Sequence, residues 1–161
     1  MTRSQKLLLI SGLALVLWGM IDGLVYAVIF EHQKLDHIGG ALATAFAEAA
    51  RRDLPASQSA FQDYSAAQYS YVREVDAHSH WSGLAMVLIL LGLVFDRVAF
   101  SERLRGLLAL AMIAGAVIFP LGVLLQTPHS GPLPKALAIA GTGLLVLGFS
   151  ACAFGFLRKT S

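Results

Sequence analysis

Four long apolar stretches, each bounded by polar residues, set the pattern of this chain: Leu7 to Phe30, Trp81 to Phe100, Gly106 to Leu125 and Ala136 to Leu157. Each reaches the length of about 20 mostly apolar residues that an α-helix needs to cross the hydrocarbon core of a bilayer. The longest polar interval, Glu31 to Ser79, separates the first stretch from the second and is rich in Ala, Gln and Ser. The pattern predicts an all-α membrane protein, a four-transmembrane-helix bundle with an outer-face helical insertion between the first and second spans. Residues 1–161 are expected to form a single membrane domain.

Within the insertion, Gly39-Gly40 and the Asp53-Leu54-Pro55 turn are read as dividers. Ala41 to Arg52 is expected as one short helix and Pro55 onward as another. Phe61, Tyr64, Gln68, Tyr71 and Val75 recur at helical spacing and predict one aromatic stripe on that second piece, which is able to run unbroken into the second span.

Composition strengthens the membrane reading. The 161-residue chain is 57% hydrophobic and only 14% charged, whereas a soluble domain carries about a quarter charged residues. The first stretch reads as a span in preference to a cleaved signal peptide, because it is long for a signal core and holds Trp18 and Asp22. A formal net charge of +2, with basic residues beside the apolar runs, excludes a nucleic-acid partner and makes them topology signals. Arg3, Lys6, Arg97, Arg103, Arg105, Arg158 and Lys159 fall on one side, against Lys34, Arg51, Arg52, Arg73 and Lys135 on the other. Basic clusters stay cytoplasmic, so the expected setting is a bacterial inner membrane with both termini cytoplasmic and the insertion periplasmic. The one cysteine, Cys152, lies in an apolar run and excludes an intrachain disulfide or a thiol metal site.

Candidate chemistry gathers on that outer face. All five histidines, His32, His37, His78, His80 and His129, fall at outer helix ends or in adjoining loops. Imidazole is a ligand for copper, zinc and haem iron, and Glu31, Asp36, Glu74 and Asp76 are nearby carboxylates. Each histidine also has a plain reading as an interfacial residue bonded to water or a carbonyl. If the first helix continues regularly to residue 37, Asp22, Tyr26, Gln33 and His37 share one stripe with Gly19 beside it, and His32 faces elsewhere. His78 and His80 stand about 200° apart on a helix. The small and polar face of Ser82 and Ala85, with Met86, favours His78 as the inward one. His129 sits in a Pro- and Gly-bounded turn.

Asp22 is the second candidate, since an acid inside a span costs several kcal/mol unless paired, hydrated or protonated. It lies about 12 Å inward of residue 30. A packing role, bonding a neighbouring hydroxyl, is the competing account. Gly19 and Gly23, and the small residues of the fourth span, are packing signals. Pro120 is expected to kink the third span, while Met20, Met86 and Met112 read as core in preference to soft ligands.

Asp76-Ala77-His78-Ser79-His80-Trp81-Ser82-Gly83-Leu84, followed by Leu91-Gly92-Leu93, resembles the start of the second helix in subunit I of haem-copper oxidases and nitric oxide reductases. The stretch Gly19 to Phe30, ahead of a His-x-His helix, also resembles small four-helix bacterial membrane proteins related to them. The likeness covers the first two spans and implies His78 or His80 as a haem b ligand. The chain departs from that family in lacking the helix that carries the second axial ligand and a His-rich binuclear centre. A haem would then need His37, His129, a Met or another protomer.

The expectation is an integral membrane protein binding haem b, copper or zinc through the outer histidines, for electron transfer or metal handling. His78, His37 and His80 are the expected cofactor ligands, with His32, His129, Asp76 and Glu31 added for a metal. The alternative is a non-catalytic accessory or assembly subunit, partnered by a larger membrane complex or by its own copies within the bilayer. No nucleophile-base pair, phosphate loop or zinc-protease motif is present, so no enzymatic activity is assigned.

Overall fold

The structure, a computed structural model, describes residues 1–127 and 131–159. It is all-helical, in the order α1 (Arg3–Val25), a π-helical turn (Tyr26–Phe30), α2 (Glu31–Ala50), α3 (Leu54–Val94), a 3-10 turn (Phe95–Arg97), α4 (Glu102–Leu124) and α5 (Pro132–Lys159). α1, the π turn and α2 follow one another without a break, so four continuous helical rods are long and apolar enough to cross a membrane. At about 1.5 Å per residue, α2 and the first half of α3 form an antiparallel arm extending about 30 Å beyond the bundle.

Local signals set the ends of the rods. Thr2 and Gln5 form a reciprocal capping box at the start of α1. α2 ends in a Schellman-type turn: Asp53 N–H donates to the Glu48 carbonyl at 3.0 Å, and Arg52 takes the left-handed φ of 61° between them. Asp53 then caps α3 by accepting from Ala56 N–H at 3.1 Å, with Pro55 in the first turn. Across this turn Ser57 Oγ donates to the Ala45 carbonyl at 2.9 Å, stapling the tip of the arm.

Gly39 and Gly40 do not divide the insertion. Both lie inside α2, although glycine costs about 1 kcal/mol relative to alanine in a helix interior. Ala41 and Ala45, buried against α3, hold the rod through them. α3 does run unbroken from the arm into the bundle, but it ends at Val94; Val98 is already extended and buried, and Ala99 N–H donates to the Gly155 carbonyl of α5.

Of the aromatic stripe on α3, Tyr64 and Tyr71 are partly buried and Phe61, Gln68 and Val75 are exposed. Tyr64, Ala67, Tyr71, Glu74, His78, Trp81, Ala85, Leu88 and Gly92 are among the partly or fully buried positions of the helix. They alternate in steps of three and four, the 3.5-residue period of a left-handed helix pair.

The core runs through the bundle and contains Leu8, Leu15, Trp81, Ala85, Leu88, Phe95, Met112, Leu145 and Cys152. α4 and α5 approach most closely: a Cβ on Gly122 would meet Ala138 N at 2.4 Å, and one on Gly141 would meet Phe119 N at 2.5 Å. Only glycine permits that backbone contact. Around the bundle the outward residues are apolar, among them Leu13, Leu17, Leu90, Leu107, Val146 and Leu147. At the end bearing the chain termini, Glu102 accepts from Ser4 N–H at 2.8 Å, and Gln5 donates to Asp96 at 3.1 Å, tying α1 to the α3–α4 connection.

Candidate functional site

The polar centre of the molecule lies where the arm joins the bundle. Asp22 on α1 faces His78 on α3, with Asp22 Oδ2 3.7 Å from His78 Nδ1. The side chains are 35% and 38% exposed, yet the Nδ1 atom itself is buried and has no hydrogen-bond partner. Glycine makes this approach: a Cβ on Gly23 would sit 2.4 Å from His78 Cε1, so the imidazole lies against bare α1 backbone. One turn further in, Gly19 receives Ser82 in the same way, with Oγ 2.9 Å from where a Cβ would be.

Beside this pair Tyr26 turns inward. Its hydroxyl is buried without a partner, and its ring stands 6.3 Å from that of Tyr71 and 5.9 Å from Lys34 Nζ. Lys34 forms an ion pair with Glu74, Ser70 Oγ donates to Glu74 at 3.3 Å, and Tyr71 donates to Glu31 at 3.4 Å. Asp22, Val25, Tyr26, Phe30, Lys34, Glu74 and Leu124 line a cavity of about 330 Å³.

Lys34 was not a sequence candidate, and the π turn explains why it is here. A regular helix places Gln33 and His37 below Asp22 and Tyr26. The π turn inserts an extra residue into the ladder, so Gln33 rotates to the outside and Lys34 takes the inward place. His37 moves to an exposed edge of the arm, where Nε2 lies 3.0 Å from Asp63. The single Asp22–Tyr26–Gln33–His37 stripe therefore does not form.

The remaining histidines separate further. His32 pairs with Asp36 one turn along α2, at 3.3 Å on an open surface. His80 points away from His78, as their angular separation requires, and packs its ring 4.6 Å from Phe119 on α4. Asp76 lies with Arg73 at 3.8 Å on its own helix. His129 falls outside the described residues. The structure thus brings together Asp22, His78, Tyr26, Lys34 and Glu74, and leaves His32, His37, His80 and Asp76 apart from them.

Among the described residues no donor set for a resident metal or a bis-imidazole haem comes together. A metal site needs three or four converging donors, and among the described residues no group of three His, Cys, Asp or Glu side chains is so placed. A bis-imidazole haem needs two facing imidazoles, whereas His32, His37 and His78 each face one carboxylate and His80 faces a phenyl ring. The reason is geometric: the insertion stays helical, and a rod spreads successive outer residues along its length. Comparison with protein families, with curated proteins and with solved structures finds no match.

Proposed function

We propose that this chain is an accessory subunit of the membrane, anchored by its four apolar helices and presenting the α2–α3 arm to a larger membrane complex. The observation that carries the reading is the apolar groove at the tip of the arm. Leu42, Phe46, Ala49, Leu54 and Phe61 line a shallow groove at the tip, where Phe46 and Leu54 are 69% and 71% exposed. Water-exposed apolar clusters of this kind mark protein contacts. Backbone satisfaction of the turn, with its cap and its Ser57 staple, keeps the tip rigid enough to dock. An electron-transfer or metal-handling role would need ligands from another chain, since this one supplies no converging set among its described residues.

The topology belongs to the same proposal. Arg3, Lys6, Arg97, Arg103, Arg105 and Arg158 all belong to the terminal end of the bundle, so retention of basic residues sets both termini in the cytoplasm and the arm in the periplasm of a bacterial inner membrane. Accessibility to a membrane-impermeant thiol reagent, with cysteines introduced at Ser65 or at Thr2 in a Cys152→Ser background, reads the orientation directly.

The decisive experiment compares the assembly state of the native chain with that of a Phe46→Asp/Leu54→Asp variant in mildly solubilised membranes. The native chain is expected to migrate in a larger complex and the variant to migrate alone at equal abundance. Migration of both at the size of the isolated chain overturns the reading. So does a purified chain carrying a Soret band or stoichiometric copper or zinc.

A further inference from the structure

The cavity at the foot of the arm has features that the docking role does not use. Its walls hold two carboxylates, Asp22 and Glu74, and one ammonium group, Lys34, which is committed to Glu74. With the one ammonium group so committed, the Asp22 carboxylate has no cation among the cavity walls. Among the described residues that carboxylate accepts no hydrogen bond, and its one ionic neighbour is His78, beyond hydrogen-bond distance. The buried Tyr26 hydroxyl faces the same space, near Glu74 but outside hydrogen-bond geometry. An acid at this depth and a buried hydroxyl each cost free energy while unpaired. The other walls, Val25, Phe30 and Leu124, are apolar, and the volume of about 330 Å³ falls in the range of small-molecule sites.

From these features we propose that the cavity binds a small amphiphilic organic ammonium ion, a primary or secondary amine in its protonated form. The ammonium group donates to the Asp22 carboxylate and to the Tyr26 oxygen, and its hydrocarbon part lies against Val25, Phe30 and Leu124. The Tyr26 ring adds a cation–π attraction. One charge matches one charge, and an N–H donor gives the tyrosine oxygen a partner. A quaternary ammonium satisfies the charge but not the hydroxyl, and a neutral alcohol satisfies the hydroxyl but not the charge.

The test is a titration of the full chain in non-ionic detergent with benzylammonium, benzyltrimethylammonium and benzyl alcohol, followed by calorimetry. The expected result is saturable benzylammonium binding, at least tenfold weaker for the quaternary analogue and absent for the alcohol. Asp22→Asn, nearly isosteric, removes it. Absence of saturable binding by the native chain overturns the proposal. Equal binding by Asp22→Asn or by the alcohol, or displacement of benzylammonium by sodium at equal concentration, overturns it as well. The assembly state of the chain is a separate readout, so failure here leaves the docking proposal intact.

Discussion

Asp22 and His78 meet across the α1–α3 seam at 3.7 Å, where the imidazole lies against the bare backbone of Gly23. The seam combines two requirements on the same turn. The backbone must be bare for the imidazole to lie on it, and the acid must stand beside that bare surface to face the ring. Gly19 and Ser82 repeat the close approach one turn inward without a charge, so the small-residue contact is general to the seam and the ionisable pair is its specialised end.

The first prediction tests that fit. Gly23→Ala places a methyl 2.4 Å from His78 Cε1, so the ring must move or the helices part. Overpacking of this kind costs about 1–3 kcal/mol. Reversible unfolding in mixed micelles is expected to show that loss, and adding His78→Ala to Gly23→Ala is expected to recover most of it. If the double variant is no more stable than Gly23→Ala alone, the ring is not what the methyl strikes.

The π turn yields the second. Deleting Val28 removes the extra residue, so a regular α-helix through this stretch carries Lys34, now one position earlier in the chain, to the same inward place beside Glu74. In a Cys152→Ser background, a short bis-maleimide is expected to join cysteines at positions 34 and 74 as efficiently in the deletion as in the parent. A pair at positions 4 and 102, at the other end of the bundle, serves as the control. A several-fold lower yield at 34 and 74 on deletion, with the control unchanged, would remove the turn as the cause of the register.

The same turn explains what could be read from the sequence and what could not. The four apolar rods were legible because length and composition decide them, as was the angular separation that sends His78 to Gly23 and His80 to Phe119. The membrane itself and the sidedness of the chain stand as proposals built on the basic residues. The place of Lys34 was hidden, since the residues Tyr26–Phe30 give no composition signal for an inserted residue and a regular helix extrapolates past it. Gly39-Gly40 misled because glycine propensity is weaker than the tertiary contact of Ala41 and Ala45. On α3 the spaced stripe marked Tyr64 and Tyr71, which are partly buried, and not the packed face beside it. The run from Tyr64 through Ala67, Tyr71, Glu74 and His78 to Gly92 follows alternating steps of three and four, but its mixture of small, charged and large residues masks the periodicity from any scale of hydrophobicity.

At the arm tip, Arg52 holds a φ of 61°, a left-handed conformation that a side chain disfavours by roughly 1 kcal/mol. Arg52→Gly relieves that strain, and although glycine gives up more chain entropy, the position after a helix is where it is favoured. The expected outcome is a gain of about 0.5–1 kcal/mol, read as slower proteolysis of the arm and a higher unfolding midpoint. A neutral or lower midpoint would mean that Arg52 makes compensating contacts in solution.

Acid should loosen the opposite end of the molecule. The Glu102 carboxyl is held below its usual range first by the Ser4 N–H that donates to it at 2.8 Å, then by the Ser4 hydroxyl and the nearby Arg105 guanidinium. Because the folded value lies below the unfolded one, the contact contributes stability above the ordinary glutamate range and loses it as pH falls through the depressed value. A pH series of unfolding midpoints for the native chain and for Glu102→Gln is therefore expected to diverge above about pH 4.5 and to converge at lower pH. The same substitution leaves a single neutral acceptor oxygen facing the first turn of α1 in place of the carboxylate, so fraying there, followed by amide exchange at Ser4, should accompany the change. Parallel curves across the whole range would show that the Ser4–Glu102 contact contributes nothing to holding α1 against α4.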